Sequence, residues 1–256
     1  MKNMILAANW KLNKSPEQTR AFFATFLEIL KNNASAYSQL GKQYQVAFFP
    51  SATSLEATST SLRGTPVQFG VQNIYHESQG AFTGENSARV VKELGGHYIL
   101  IGHSERRQYF HETNSSLNKK VHHALQEQLA PMYCIGETLE EREKGQTEKV
   151  LLTQITEGLK DVNPLLAGSL VIAYEPVWAI GTGKVATPDQ VKETHAFVQT
   201  ALVKLGFTST PILYGGSAKA SNAGELIQIP HVSGFLVGGA SLEPQSFLDL
   251  IQASLS

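Results

Sequence analysis

The chain repeats a form rather than a set of letters. A short, nearly continuous apolar run is followed by a longer segment of helical character, and the pair recurs eight times. The runs are residues 4–8, 45–49, 67–72, 98–101, 131–135, 170–174, 211–214 and 234–237. They lack the in–out alternation of a half-exposed strand, so they read as strands buried on both faces. Helical segments at 16–31, 114–128, 139–159 and 245–253 intervene, another opens near Thr187, and two shorter ones follow the second and third strands. Ser15-Pro16 and Thr187-Pro188 each place a capping side chain before a proline at the first helical position. Gln190 completes a capping box with Thr187. Eight strand–helix units in 256 residues, with no linker or break in composition, predict an α/β chain closed into one (β/α)8 barrel over residues 1–256. Such barrels run to about 250 residues. A doubly wound open sheet is the competing architecture.

Composition narrows the partners. The formal net charge is −1, so no broadly basic face is expected, and neither nucleic acid nor an anionic membrane is a partner. No apolar run approaches the roughly 18 residues of a membrane span. The apolar start at residues 4–8 is too short for a secretory leader. Cys134 is the only cysteine, which rules out an intrachain disulfide and fits a reducing compartment. The expected location is the cytoplasm.

In a barrel of this kind, chemistry sits where each strand hands over to its helix. The first junction carries Asn9-Trp10-Lys11, and the third carries Gln72-Asn73 and the loop IYHESQGAFTGE. The fourth gives GHSERR, the fifth CIGETLEERE, and the sixth ends at Glu175. The seventh and eighth give Gly215-Gly216-Ser217 and Gly238-Gly239-Ala240-Ser241. One Gly-Gly pair would be only a turn. Two pairs at adjacent junctions expose backbone N–H groups without a Cβ in the way, a cradle for phosphate.

His103 precedes a helix start, where the helix dipole disfavours its protonated form; a neutral imidazole still donates an N–H to a carbonyl oxygen. Glu175 is followed by Pro176, Val177 and Trp178, which are placed to exclude water, and a carboxylate with few water contacts is a stronger base. An ordinary salt-bridge role would not need those neighbours. Lys11 is the cation at the first junction, and Asn9 and Trp10 beside it argue against a merely solvated lysine.

Other signals do not hold. Residues 181–186 match G-x-G-x-x-A, but the helix opens only near Thr187, too late for a dinucleotide fold. Gly183-Lys184 lacks the rest of a Walker sequence. His122 and His123 point about 100° apart on a helix and cannot chelate one ion. With no HExxH and no cysteine cluster, no metal site is expected. The charged run at 140–144 is a solvated helix face.

ANWK, GAFTGE, GHSERR, YEPVWAIGTGK, YGGS and LVGGASL stand in an order and spacing that resemble the triosephosphate isomerase family across essentially the whole chain. The resemblance implies a TIM barrel that interconverts dihydroxyacetone phosphate and glyceraldehyde 3-phosphate without metal or cofactor. It implies Glu175 as the base, His103 as the neutral electrophile, and Lys11 and Asn9 as electrostatic partners of the substrate oxygens, with Trp10 beside them in the substrate site. Gly181, Ser217, Gly238 and Gly239 become the phosphate cradle, and residues 176–186 a mobile lid in which Gly183 permits the bend. Glu105 becomes a buried carboxylate near Lys11. Thr83 becomes the loop tip that inserts into a partner subunit of a homodimer. Val71 and Ala218 stand where the family often has Ala and Val, and neither is a proposed catalytic group. A barrel acting on a larger sugar phosphate, or a non-catalytic sensor, are the alternatives; a lid carrying Trp178 leaves little room for the first, and a base beneath a lid has no use in the second.

Overall fold

The computed structural model describes residues 4–165, 167–182 and 184–256. Eight parallel strands follow one another in chain order: β1 (Met4–Asn9), β2 (Tyr44–Phe49), β3 (Gln68–Val71), β4 (Tyr98–Ile101), β5 (Ala130–Ile135), β6 (Val171–Tyr174), β7 (Ile212–Tyr214) and β8 (Gly234–Val237). β8 pairs back onto β1, so the sheet closes into a barrel and the open-sheet alternative falls away.

The helices are α1 (Pro16–Asn32), α2 (Ala34–Gln39), α3 (Leu55–Leu62), α4 (Ala88–Glu93), α5 (Ser104–Tyr109), α6 (Asn114–Gln126), α7 (Leu139–Glu143), α8 (Thr147–Gly158), α9 (Pro188–Lys204), α10 (Ala220–Ile227) and α11 (Pro244–Leu255). Capping boxes at Ser15, Thr113, Thr138 and Thr187 set four of the starts, each worth about 1 kcal/mol. The single helix expected over 139–159 is two. Gly145 adopts a left-handed φ of 68°, which ends α7, and the chain restarts at Thr147. α2 was not anticipated; its signal was Asn33, whose Oδ1 accepts the Ala36 N–H at 3.0 Å.

Strand alternation divides the apolar side chains into two cores. Ile5, Ala7, Tyr98, Leu100, Val171, Ala173, Leu213 and Leu236 belong to one cluster that fills the barrel. Leu6, Ala8, Ile99, Ile101, Ile172, Tyr174, Ile212 and Val237 belong to another, between barrel and helices. Continuing the same alternation past the strand ends brings Asn9, Glu175, Gly215 and Gly238 to inward positions at the mouth. The register keeps them level: Tyr174 pairs with Tyr214, and Ala8 with Val237.

Candidate active site

One cavity of about 330 Å3 at this mouth is bordered by Asn9, Trp10, Lys11, His103, Glu175, Gly181, Ser217, Gly238 and Gly239. Residues from five junctions of the sequence thus meet in one place. Glu105 does not border it but reaches Lys11, and Thr83 lies exposed in the loop after β3.

Lys11 is held from several sides. Its backbone takes a left-handed φ of 51°, a conformation that costs a non-glycine residue about 1 kcal/mol or more. Asn9 Oδ1 accepts the Lys11 N–H at 3.0 Å, and Gln72 donates Nε2 to the Lys11 carbonyl at 2.8 Å. The Lys11 ammonium donates to Glu105 Oε1 at 2.5 Å. Glu105 itself is not buried as expected: its side chain is 40% exposed. It starts a short surface helix, so its backbone lies at the rim and only its contact with Lys11 turns inward.

Trp10 borders the cavity, as expected, but its side chain is turned away from it. One step along the strand from Asn9, its indole faces the helix layer. It is fully buried, donates Nε1 to the Ser241 carbonyl at 3.1 Å, and packs against Phe22, Phe23 and Phe48. Each such aromatic pair adds about 0.5–1.5 kcal/mol beyond area burial. The indole braces the mouth from behind rather than offering itself to a ligand.

His103 is aimed by a break in the alternation. Gly102 adopts φ 73°, and a Cβ there would lie 2.8 Å from Leu117 Cδ1. This turn swings the imidazole inward instead of toward the helices. Nδ1 accepts the Glu105 N–H at 3.2 Å, and Nε2 lies 2.8 Å from Glu175 Oε1. Burial is the largest single influence on this histidine and pulls its pKa down. The charge and hydrogen bond of Glu175, with the charge of Glu105, outweigh burial and the opposing Lys11, so the net shift is upward. The physical cause of that upward shift is the neighbouring Glu175. The N–H that points into Nδ1 fixes the tautomer, leaving Nε2 as the ring donor.

Glu175 is 2% exposed. Its Oε2 accepts the Ser104 N–H at 2.8 Å, so both carboxylate oxygens are engaged. Gly136 and Gly215 flank it; a Cβ on Gly136 would strike the Glu175 carbonyl, and one on Gly215 would lie 2.9 Å from Glu175 Cγ. After Pro176 the chain makes a single 3₁₀ turn, Val177–Ala179. Trp178 is buried and anchored on Glu137, donating Nε1 to Glu137 Oε1 at 3.0 Å, with Arg142 5.0 Å from its ring centre.

Glu137 is the residue that sequence reasoning missed. It is fully buried, and the same oxygen also accepts from Tyr174 and Arg142. An acid directly after a buried strand, in CIGETLEERE, was the available signal. Ser217 donates its hydroxyl to the Ala179 carbonyl at 2.8 Å, which ties the junction after β7 to the segment after Glu175. Gly181 is exposed with φ 68°. Gly183, expected to permit a bend, lies outside the described residues.

Among the described residues, no group of three or more histidine, cysteine or acidic side chains is arranged to hold a metal ion, and no helix is long and apolar enough to cross a membrane. The sequence matches the family described as Triosephosphate isomerase over residues 4–254. It is 57% identical over 246 residues to the triosephosphate isomerase of Bdellovibrio bacteriovorus, covering 96% of this chain and 98% of that protein. It is 44% identical over 255 residues to that of Ligilactobacillus salivarius, covering 98% of each. Against that of Chlamydia trachomatis it is 45% identical over 250 residues, covering 95% of this chain and 87% of the other.

Proposed function

The chain belongs to the triosephosphate isomerase family, and on that premise we propose that Glu175, His103, Lys11 and Asn9 carry out its interconversion of dihydroxyacetone phosphate and D-glyceraldehyde 3-phosphate, a step of glycolysis and gluconeogenesis. The family is the familiar worked case of a carboxylate base set against a neutral imidazole beneath a closing lid. The observation that carries the assignment is the shared cavity: carboxylate, imidazole, ammonium and glycine backbone all border it.

The phosphate rests on the backbone N–H groups of Gly181, Ser217, Gly238 and Gly239. That role leaves the Ser217 hydroxyl free for its bond to Ala179. Lys11 and Asn9 attract the substrate oxygens. Glu175 leaves the Ser104 N–H, takes a proton from the carbon next to the carbonyl, and returns it to the neighbouring carbon. His103, donating from Nε2, and Lys11 stabilise the enediolate oxygens between these two transfers. A well-placed donor of this kind is worth about 10²–10³ in rate, and a positioned base about 10²–10⁴. Residues 176–186 form the lid, which closes on the phosphate and excludes water from the intermediate. No metal or cofactor takes part.

The whole of residues 1–256 acts as one catalytic barrel, in the cytoplasm and as a homodimer. Thr83 is the contact that enters the partner subunit, and the exposed Leu12, Phe82, Tyr109 and Phe110 at neighbouring junctions support an apolar interface there. Thr83→Glu should shift the sedimentation profile toward monomer; an unshifted profile removes Thr83 from the interface.

A coupled assay with glyceraldehyde 3-phosphate and an NADH-dependent reducing dehydrogenase tests the site. Turnover should be indifferent to chelator. Glu175→Asp, which draws the carboxylate back by about 1 Å, should cost on the order of 10²-fold in kcat. An unchanged rate would falsify the assignment of Glu175 as the base.

A further inference from the structure

Behind Glu175, on the side away from the catalytic cavity, lies a second and larger one of about 850 Å3. It opens between the α5–α6 and α7–α8 segments and shares Glu175 as a wall with the first. The isomerisation makes no use of it, and its volume falls within the usual range of small-molecule sites, roughly 300–1,000 Å3.

Its apolar surface comes from Ile135, Leu139, Val150, Val177 and Trp178. Two of these, Val177 and Trp178, form the first turn of the segment assigned above as the lid. Its charge is mixed. Glu112, Glu141, Glu157 and Glu175 border it, against the cations Arg107 and Lys149. Arg107 is already committed: its guanidinium donates to the Gly102 and Cys134 carbonyls, to Asn114 Oδ1 and to the Tyr133 hydroxyl. Glu112, whose side chain is 8% exposed, is paired through Oε1 with Arg106 at 2.8 Å and Lys120 at 2.6 Å, while its other oxygen is buried with no hydrogen-bond partner and is open to a ligand N–H. The orphan Glu112 oxygen, with the Glu141 and Glu157 carboxylates on the same wall, suits a ligand that brings N–H donors and positive charge rather than an anion such as a sugar phosphate. The Trp178 indole already holds one planar cation, the Arg142 guanidinium, which does not border the cavity.

We propose that this cavity is a second binding site for a compact aromatic cation, and that its occupant opposes isomerisation. Seated against Val177 and Trp178, it favours the arrangement in which Trp178 is tied to Glu137. Closing the lid over substrate then has to displace it. The inhibitory half of this inference rests on the lid assignment above; the binding half does not.

4-Aminobenzamidine is the probe, titrated by its fluorescence without substrate and then added to the coupled assay with the coupling enzyme in excess. Binding should be saturable, and kcat should fall severalfold with KM changed by less than about twofold. Val150→Phe, which fills the cavity, should weaken binding by roughly tenfold or more and leave unprobed turnover unchanged. Glu157→Gln keeps the shape and removes a charge, and should weaken binding by up to about fivefold. Purely competitive inhibition that Val150→Phe leaves undiminished would place the probe in the catalytic cavity and overturn the proposal. So would binding unmoved by both substitutions, or binding without any loss of turnover. Failure of the catalytic assignment would instead show as an undiminished rate in Glu175→Asp, read with no probe present.

Discussion

At the end of β1, Lys11 is fixed before any ligand arrives: its carbonyl is held by Gln72, its N–H by Asn9 and its ammonium by Glu105. At the end of β6, Glu175 is held just as firmly, but through its reactive end, with its oxygens on the Ser104 N–H and on His103, contacts that it must leave if it is the base proposed above. The two groups face one cavity and differ in what binding must do to them. The cation is preorganised, so its contribution needs no rearrangement at the moment of reaction. The carboxylate must be released, which makes its arrival a step that substrate binding can drive. The difference continues outward. Lys11 is followed by a loop pinned to the core, where Ser54 donates to the Lys14 carbonyl at 3.0 Å. Glu175 is followed by a turn that, among the described residues, only one long-range backbone bond, Val177 N–H to the Glu137 carbonyl at 3.1 Å, and a few side-chain ties, including Trp178 on Glu137 and Ser217 on Ala179, hold to the rest of the barrel.

If Lys11 depends on its supports, removing one should matter most. Gln72→Ala leaves the left-handed carbonyl of Lys11 without that donor. It should cost roughly tenfold in kcat/KM, in line with the loss of one buried hydrogen bond; the coupled assay would sink the comparison by showing wild-type kinetics. Glu137→Gln tests the movable side. It keeps an acceptor for Trp178 and removes the charge, so turnover should change by about two- to fivefold, accompanied by a shift in tryptophan fluorescence. Trp10 is fully buried elsewhere and supplies a constant background. A silent spectrum would mean that Glu137 does not set the resting place of Trp178.

The smallest effect is one of titration. Because Glu175 raises the pKa of His103 in the empty site, NMR should find its midpoint above the ordinary value near 6.5. Glu175→Gln should bring it down, since burial then dominates. The sign for stability follows: a raised folded pKa contributes stability that is complete below about 6.5 and is lost as pH rises through the folded midpoint. The empty protein should therefore lose a small increment over that window, and the variant should not.

The barrel was legible because both-face burial writes itself as continuous apolar runs, and because caps announce themselves in Ser-Pro and Thr-Pro. The positions of Glu175, His103 and Lys11 were legible because each stands at a junction. Their orientations were less so. Trp10 borders the cavity, but its indole faces the helix layer, because a strand turns adjacent side chains to opposite faces. Burial of Glu105 failed because a short helix at the rim cannot cover its own first turn. Glu137 was invisible as an anchor because its three donors, Tyr174, Trp178 and Arg142, come together only in space. The resting contact between Glu175 and the Ser104 N–H could not be read from residue types, since any residue but proline at 104 supplies that donor.

The turn at Gly102 separates two things that are usually found together. The strands, the closure and both cores would be specified by the same residues if that position carried a side chain. A side chain would make Leu117 of the outer core give way locally, and it would strain the φ of 73° that sets the direction of the next residue. A chain differing by one methyl group at that point could build the same container and point its imidazole at the wrong wall, so that folding and catalytic competence would part company at a single dihedral angle.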